Sequence, residues 1–276
     1  MRLSGVAALC VMLGACSVEA ASPETWARLR VPAAGPAAAI GSPAAGCLSG
    51  AVALPPEGDG YQALRLDRNR FYGHPRTIDF VRELGGAAKA EGLGTVLVGD
   101  LSQPRGGPMA YGHGSHQTGL DVDIWFRLAP APLPPAEREA PRGLSMVKGA
   151  GVDPAAWTPA HLRLLEIAAS HPQVDRVFVN PAIKAAACRQ AGRGRAWLGK
   201  LRPWWGHDEH FHVRLSCPPG DAGCVPQKPV PDGDGCDGEL ASWMGKPTIL
   251  PAGDKPNHRR PVLPAACGGV VDAGAR

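Results

Sequence analysis

The chain reads as an α+β fold: a small central antiparallel sheet flanked by helices and long loops, with terminal arms tied down by disulfides. Three observations lead there. Leu120–Phe126 and His210–Leu215 alternate in polarity with a period of two, as strands with one face in a core do. Residues 76–90 and 158–169 carry apolar residues at helical spacing, which predicts two amphipathic helices. Gly 36 and Pro 29 in 276 residues call for long loops rather than a helical bundle.

A hydrophobic share of 44% is enough for a substantial core, in one domain or a domain plus a tail. The net charge of +4 is a mild basic bias. With no basic run and no aromatic–basic interleaving, it argues against nucleic acid as a partner.

Met1–Ala15 has one basic residue and then a short apolar run, the pattern of a secretory signal rather than a membrane span. The signal is expected over residues 1–21. Leu13-Gly-Ala-Cys16 has the form of a lipoprotein cleavage box, which would leave Cys16 as a lipid anchor to the membrane. Ordinary cleavage near Val18–Ala21 is the rival, and both stay open. Either leaves Cys47, Cys188, Cys217, Cys224, Cys236 and Cys267. Six cysteines in an exported chain read as three disulfides, with fifteen pairings open to sequence alone. The spacing of Cys217 and Cys224 favours a local loop. A cysteine-bound zinc is set aside, because there is no Cys-x-x-Cys pair and the compartment is oxidising.

Residues 22–60, rich in Ala, Pro and Gly, predict an irregular N-terminal arm held by Cys47. The core is expected over 61–217. Within it, the helix at 76–90 places Ile78, Val81 and Leu84 on one face, Thr95–Leu101 is a buried strand, and Gln103–Pro108 is a loop. Arg105 in that loop is either exposed or a contact for a substrate carboxylate. Arg127–Ala140 predicts a lid or edge loop. Thr158 followed by Pro159 is an N-cap with Pro at the first helical position. His161 in that helix and His171 after it are expected at the surface. Val174–Asn180 is a strand and Ala182–Gln190 a short helix. At least two of Trp197, Trp204 and Trp205 are expected in the core, with a cleft wall as the alternative. Residues 218–276 read as a Pro/Gly-rich, disulfide-tied extension, disordered from about 268.

The chemistry concentrates in two stretches, Gly112-His-Gly-Ser-His-Gln-Thr-Gly-Leu-Asp-Val-Asp123 and His207-Asp-Glu-His-Phe-His-Val-Arg-Leu215. Alternation puts Asp121, Asp123 and Trp125 on one strand face and His210, His212 and Arg214 on another, so adjacent strands would pool them. A catalytic zinc site takes three protein ligands and keeps one position open. His116, Asp123 and His212 would supply them, with Gly112, Gly114 and Gly119 letting His116 fold back over the metal. The metal site then sits on the central sheet.

The strings His116-x-x-Gly119-x-x-x-Asp123 and His210-x-His212 resemble the signature of the lysostaphin and D-alanyl-D-alanine dipeptidase superfamily of zinc peptidases. Their longer contexts are similar to the penicillin-insensitive murein endopeptidases, over about Ile40 to Cys267. The resemblance implies zinc on His116, Asp123 and His212, with His113 either a ligand or a supporting residue. It implies that His210 and His207 orient or deprotonate the attacking water and stabilise the tetrahedral intermediate. His210 is the better base and His207 the oxyanion stabiliser, with Glu209 third. It implies the pairs Cys47–Cys267 and Cys188–Cys236. A second metal lacks ligands, since Val147–Val152 offers none and only Asp153 follows. The implied substrate is the peptide cross-link of peptidoglycan, D-alanyl to meso-diaminopimelyl, in the periplasm. The chemistry needs no active-site serine, and none is expected to stand in an acyl-enzyme motif of the Ser-x-x-Lys type. A non-catalytic exported zinc-binding or wall-binding protein is the alternative, and self-association is left open.

Overall fold

The computed structural model describes residues 21–246 and 262–273. The expected cleavage sites and Cys16 therefore lie outside the described residues, apart from Ala21. Seven strands make one sheet: β1 (Glu57–Gly58), β2 (Tyr61–Ala63), β3 (Val96–Val98), β4 (Asp121–Trp125), β5 (Val174–Val179), β6 (Leu201–Pro203) and β7 (His210–Leu215). Their order is β6-β5-β7-β4-β3-β2-β1. The sheet is thus neither small nor wholly antiparallel. β5–β7–β4–β3 is antiparallel, but β6 runs parallel to β5 and β2 parallel to β3. The parallel flanks arise because helices intervene between the paired strands, and such crossovers return the chain in the same direction.

Those helices are α1 (Pro75–Ala90) between β2 and β3, and α2 (Pro159–Ser170) and α3 (Pro181–Gln190) around β5. Each starts with Pro just after a capping residue: His74 and Asn180 accept from the backbone by side chain, and Thr158 shares a capping box with His161. Val122 and Ile124 of β4, Phe211 and Val213 of β7, and Val177 and Val179 of β5 pack with Ile78, Val81, Leu84, Leu164, Leu165 and Ile183 in one apolar core. The alternation of β4 and β7 is as expected, with one difference: the polar face of β4 is buried as well. The loop carrying His113 and His116 lies against it.

An N-terminal hairpin, Ala38–Ser42 with Ala45–Ser49, and a short helix, Pro23–Arg28, occupy the segment expected to be irregular. Hydrogen bonding explains the ordering. Gln117, in the first motif, accepts from Gly46 N at 3.2 Å and donates to Ala44 O at 2.9 Å. The disulfides pair Cys47–Cys267, Cys188–Cys236 and Cys217–Cys224. Residues 266–272 form helix α4 (Ala266–Asp272), with Cys267 and Val270 buried against Trp26. The expectation of disorder from 268 fails over these residues because the Cys47 bridge and this small apolar cluster hold them.

Arg105 is not exposed, and its guanidinium is taken up by backbone carbonyls. It is buried and donates to Val31 O, Val270 O and Val271 O at 2.7–3.0 Å, so one guanidinium satisfies the last carbonyls of α4. His161 is also buried, because its Nδ1 accepts from Thr158 N at 3.0 Å as part of the cap. Lys184 of α3 is fully buried, with Nζ donating to Asp234 O at 2.5 Å and to Leu198 O. No helix among the described residues is long and apolar enough to cross a membrane.

Two outcomes follow. Arg105→Ala strips three carbonyls of a charged donor and is expected to cost about 2–3 kcal/mol, a fall in Tm of roughly 5–10 °C. A variant melting with the parent would show that α4 is held by Cys47–Cys267 alone. Burial lowers the Lys184 pKa to about 8 from its ordinary 10.5. Between those values the unfolded chain binds a proton that the folded chain does not, so stability rises with pH across that window. Denaturant titrations from pH 7.5 to 10.5 should show this rise in the parent and a smaller one in Lys184→Met.

Candidate metal centre

The site forms where β7 lies beside β4. Their register pairs His212 with Asp123, His210 with Trp125 and Arg214 with Asp121, so the polar residues of both strands face the same side. His212 Nδ1 stands 3.4 Å from Asp123 Oδ1 and His210 Nε2 stands 3.7 Å from Asp123 Oδ2. The loop before β4 brings His116 Nε2 to 3.4 Å from Asp123 Oδ1 and His113 Nε2 to 3.6 Å from Asp123 Oδ2. Every predicted site residue except Glu209 therefore converges on Asp123, or, for His207, on its neighbour. His207 and His210 have ring centroids 5.1 Å apart.

The loop folds back differently from the expectation. Gly112 and Gly119 have φ of 94° and 71°, but Gly114 does not go positive. His116 itself takes φ 67°. A non-glycine residue in that region costs energy and persists where the surroundings impose it. Here they do so: His116 N donates to Asp121 Oδ2 at 3.0 Å, its Nδ1 meets Leu101 O at 2.8 Å, and the ring is fully buried. Gly119 O accepts from His74 N and Thr77 Oγ1 at the start of α1, which anchors the other end.

Hydrogen bonding sets which nitrogens are free. Facing a carbonyl, His116 Nδ1 must donate, so in the neutral ring Nε2 carries the lone pair. His212 Nε2 donates to Asp121 Oδ1 at 2.8 Å, leaving the lone pair on Nδ1. His116 Nε2 and Asp123 Oδ1 are buried with no hydrogen-bond partner, a costly state for polar atoms that nothing else satisfies. A tetrahedral shell with bonds of about 2.0–2.1 Å separates its ligand atoms by roughly 3.3 Å, close to the two 3.4 Å separations here. The residues present thus fit a metal ion. His113, His116 and Asp123 also present ligand atoms within 4.8 Å of one another, but His113 Nε2 already meets Asp100 Oδ2 at 2.9 Å.

The electrostatics follow from this packing. Burial alone would raise Asp121, but the Arg214 guanidinium, at 2.6 Å, and His212 hold its carboxyl well below the usual range. Burial opposes ionisation of Asp123 too, and His210, His116 and His113 outweigh it, so Asp123 is also held well below. Burial drives His212 down to about 3 and, with the His210 charge, His207 down to about 4. Both imidazoles are therefore neutral near pH 7. For His116, burial pulls down and the Asp123 carboxylate pushes up, with a net rise.

Several contributors were not foreseen. Asp100, next to the end of β3, accepts from Arg70 at 2.9 Å and Arg68 at 3.1 Å as well as meeting His113. An acid closing a hydrophobic run was the signal for it. Asn180 holds the His207 turn, with Nδ2 donating to Gly206 O and its N–H to His207 O, both at 3.0 Å; nothing in the sequence marked it. Glu209 points away, its carboxylate lying against Gly143. The expectation that no serine stands in a Ser-x-x-Lys motif fails on spacing, since Ser145-Met-Val-Lys148 carries it. Ser145 Oγ, however, is tied to Asp208 Oδ2 at 2.5 Å and to Val147 O, and Lys148 lies exposed on a strand rather than one helical turn away. Asp153 accepts from Ala155 N in a turn.

The profile of the penicillin-insensitive murein endopeptidase family matches residues 39–272. The chain belongs to that family. It is 48% identical over 246 residues to the penicillin-insensitive murein endopeptidase of Haemophilus influenzae, covering 87% of this chain and 86% of the relative. It is 42% identical over 270 residues to that of Klebsiella pneumoniae, covering 97% of each. For that of Yersinia enterocolitica the identity is 42% over 271 residues, with 97% and 96% covered. The chain is thus a metallopeptidase by family, and its own histidine–aspartate cluster has donor types that suit a metal ion.

The bond from His212 Nε2 to Asp121 fixes the ring tautomer, and losing such a partner usually weakens metal binding 10–100-fold. Asp121→Asn should loosen divalent-metal binding by about that factor in a chelator competition. Parent-like affinity in a folded variant would detach Asp121 from the site.

Proposed function

We propose that this protein is an exported, zinc-dependent endopeptidase that hydrolyses the D-alanyl to meso-diaminopimelyl cross-link of peptidoglycan and is insensitive to penicillin. The observation that carries the reading is the convergence of three lone-pair atoms, His116 Nε2, Asp123 Oδ1 and His212 Nδ1, beside two further imidazoles. The relatives' names supply the murein substrate and the penicillin insensitivity.

His116, Asp123 and His212 would hold the ion, and two imidazoles with one carboxylate are a donor set suited to zinc. Bound there, zinc would lower the pKa of a coordinated water to about 7 and polarise the scissile carbonyl. His113 supports from the rim, facing both Asp100 and Asp123.

His210 projects from the same strand face as His212 and is more exposed than His113, His116 or His212. It accepts the proton of the attacking water and returns it to the leaving amine, a task suited to an imidazole. His207 has Nδ1 committed to Trp205 O at 2.7 Å, so its Nε2 faces outward. In the neutral ring that nitrogen carries a lone pair, so His207 would act on the anionic oxygen through the water's proton shared from His210, whose ring lies 5.1 Å away, before that proton goes to the leaving amine. Ser145, the serine with Ser-x-x-Lys spacing, has its hydroxyl tied to Asp208, which argues against it as an acyl-enzyme partner for a β-lactam. Three disulfides suit an exported enzyme, and lipid attachment at Cys16 belongs to this proposal as its membrane-anchored form.

Chelation is expected to abolish release of monomeric muropeptides from purified sacculi, and re-added zinc to restore it. His210→Ala should retain its metal by mass spectrometry while losing turnover by about 10²–10⁴-fold. A metal-free His210→Ala protein would make it a ligand. Covalent labelling by penicillin would sink the metallopeptidase mechanism.

A further inference from the structure

Three tryptophans that the catalytic chemistry does not use meet beside the metal centre. Trp204 and Trp205 follow β6 and lead into the His207 turn, while Trp243 ends the short helix Gly238–Trp243, which the Cys188–Cys236 bridge attaches to α3. The ring centroids lie 5.1 Å apart for Trp204–Trp205, 4.6 Å for Trp205–Trp243 and 5.9 Å for Trp204–Trp243. Two core tryptophans were expected from sequence, and only Trp197 joins the core. Trp204 is 44% exposed, with Met244 next to Trp243 at 43%. Contiguous exposed apolar surface of this kind marks an interaction site.

Continuity identifies the occupant. Phe178 touches Trp204 on one side, at 5.7 Å, and His212 on the other, at 5.3 Å, so the aromatic surface runs directly into the metal centre. Whatever sits on it is held at the same time as the scissile amide. In cross-linked murein that amide hangs from the glycan strand by a peptide stem of about four residues, which spans at most roughly 14 Å when extended. Trp204 is two ring contacts from His212, of 5.7 and 5.3 Å, and so within that reach, with Trp243 one contact beyond it. The chemistry agrees: an indole face is electron-rich and attracts polarised C–H groups, which a pyranose ring presents in a flat array with hydroxyls at its rim. Lys246 Nζ lies 4.5 Å over the Trp243 ring, so the ammonium holds that indole face and offers sugar hydroxyls a donor there.

We propose that Trp204, Trp205 and Trp243 form a stacking platform for a sugar ring of the glycan strand that carries the cross-linked peptide. This rests on the endopeptidase reading, and its test separates the two. Peptide-free glycan chains of alternating N-acetylglucosamine and N-acetylmuramic acid, added to the full metal-loaded chain, should change its tryptophan fluorescence saturably without any hydrolysis. Trp204→Ala and Trp243→Ala should each weaken that binding about tenfold, the size of one lost stacking contact, and Trp204→Tyr should recover most of it. In parallel, kcat/KM on sacculi should fall about tenfold further than on a glycan-free cross-linked peptide in either alanine variant.

Absence of glycan binding by the parent, or equal binding by the alanine variants, overturns the platform. So does an equal loss on both substrates, which would assign the tryptophans to the peptide or to the fold. A dimer dissolved by Trp204→Ala, without any glycan effect, would make the cluster a contact between copies. A parent that binds glycan but cleaves neither substrate would sink the endopeptidase reading and leave the platform standing.

Discussion

Two carboxylates on one face of a single buried strand are the constraint around which this protein is arranged. Asp121 and Asp123 are almost wholly removed from water, a placement that costs several kcal/mol per charge unless partners compensate it. Asp121 is compensated by Arg214, by His212 and by the backbone of His116. Asp123 has only imidazoles, and its inner oxygen has no hydrogen bond at all. The fully paired carboxylate holds the scaffold, and the under-paired one is left for chemistry. That division, between residues two positions apart, turns a structural ion-pair network into a candidate metal site.

The pairing of β4 with β7 is what permits it. Side chains alternate on a strand, so a slip of one residue would send His210, His212 and Arg214 into the apolar core and Phe211 and Val213 onto Asp123. The core on the opposite face holds the register, because Val122, Ile124, Phe211 and Val213 are all fully buried there. Hydrophobic burial on one side of the sheet therefore fixes electrostatics on the other.

The strained parts of the site are braced from a distance. His116 and His207 both sit in the left-handed region, and each is held by several contacts. For His116 these run through Asp121 and Leu101, with neighbouring Gln117 tied to the N-terminal hairpin that the Cys47–Cys267 bridge secures. For His207 they run through Asn180, while Asp208 beside it is tied to Ser145. The C-terminal segment, whose Cys267 lies 144 residues beyond Asp123, is thus part of how the centre keeps its shape.

What the sequence determined by itself was whatever is written locally. The period of two in Leu120–Phe126 and His210–Leu215 named the strands and the faces of Asp123, His210 and His212, and the Thr158–Pro159 cap named a helix start. The two motifs were dense enough in ligand types to mark the site, and through their resemblance the family. Tertiary structure alone decided the rest, because it depended on partners far away in the chain. The sheet became large and mixed because α1 crosses from β2 to β3. Arg105 turned inward because the carbonyls of α4 lacked donors. His161 was buried by its own cap, and Trp204 stayed at the surface beside Trp243 rather than in the core. The roles of Asp121 and Asp100 could not be read from spacing, since a buried carboxylate acquires its function from the charges that fold against it.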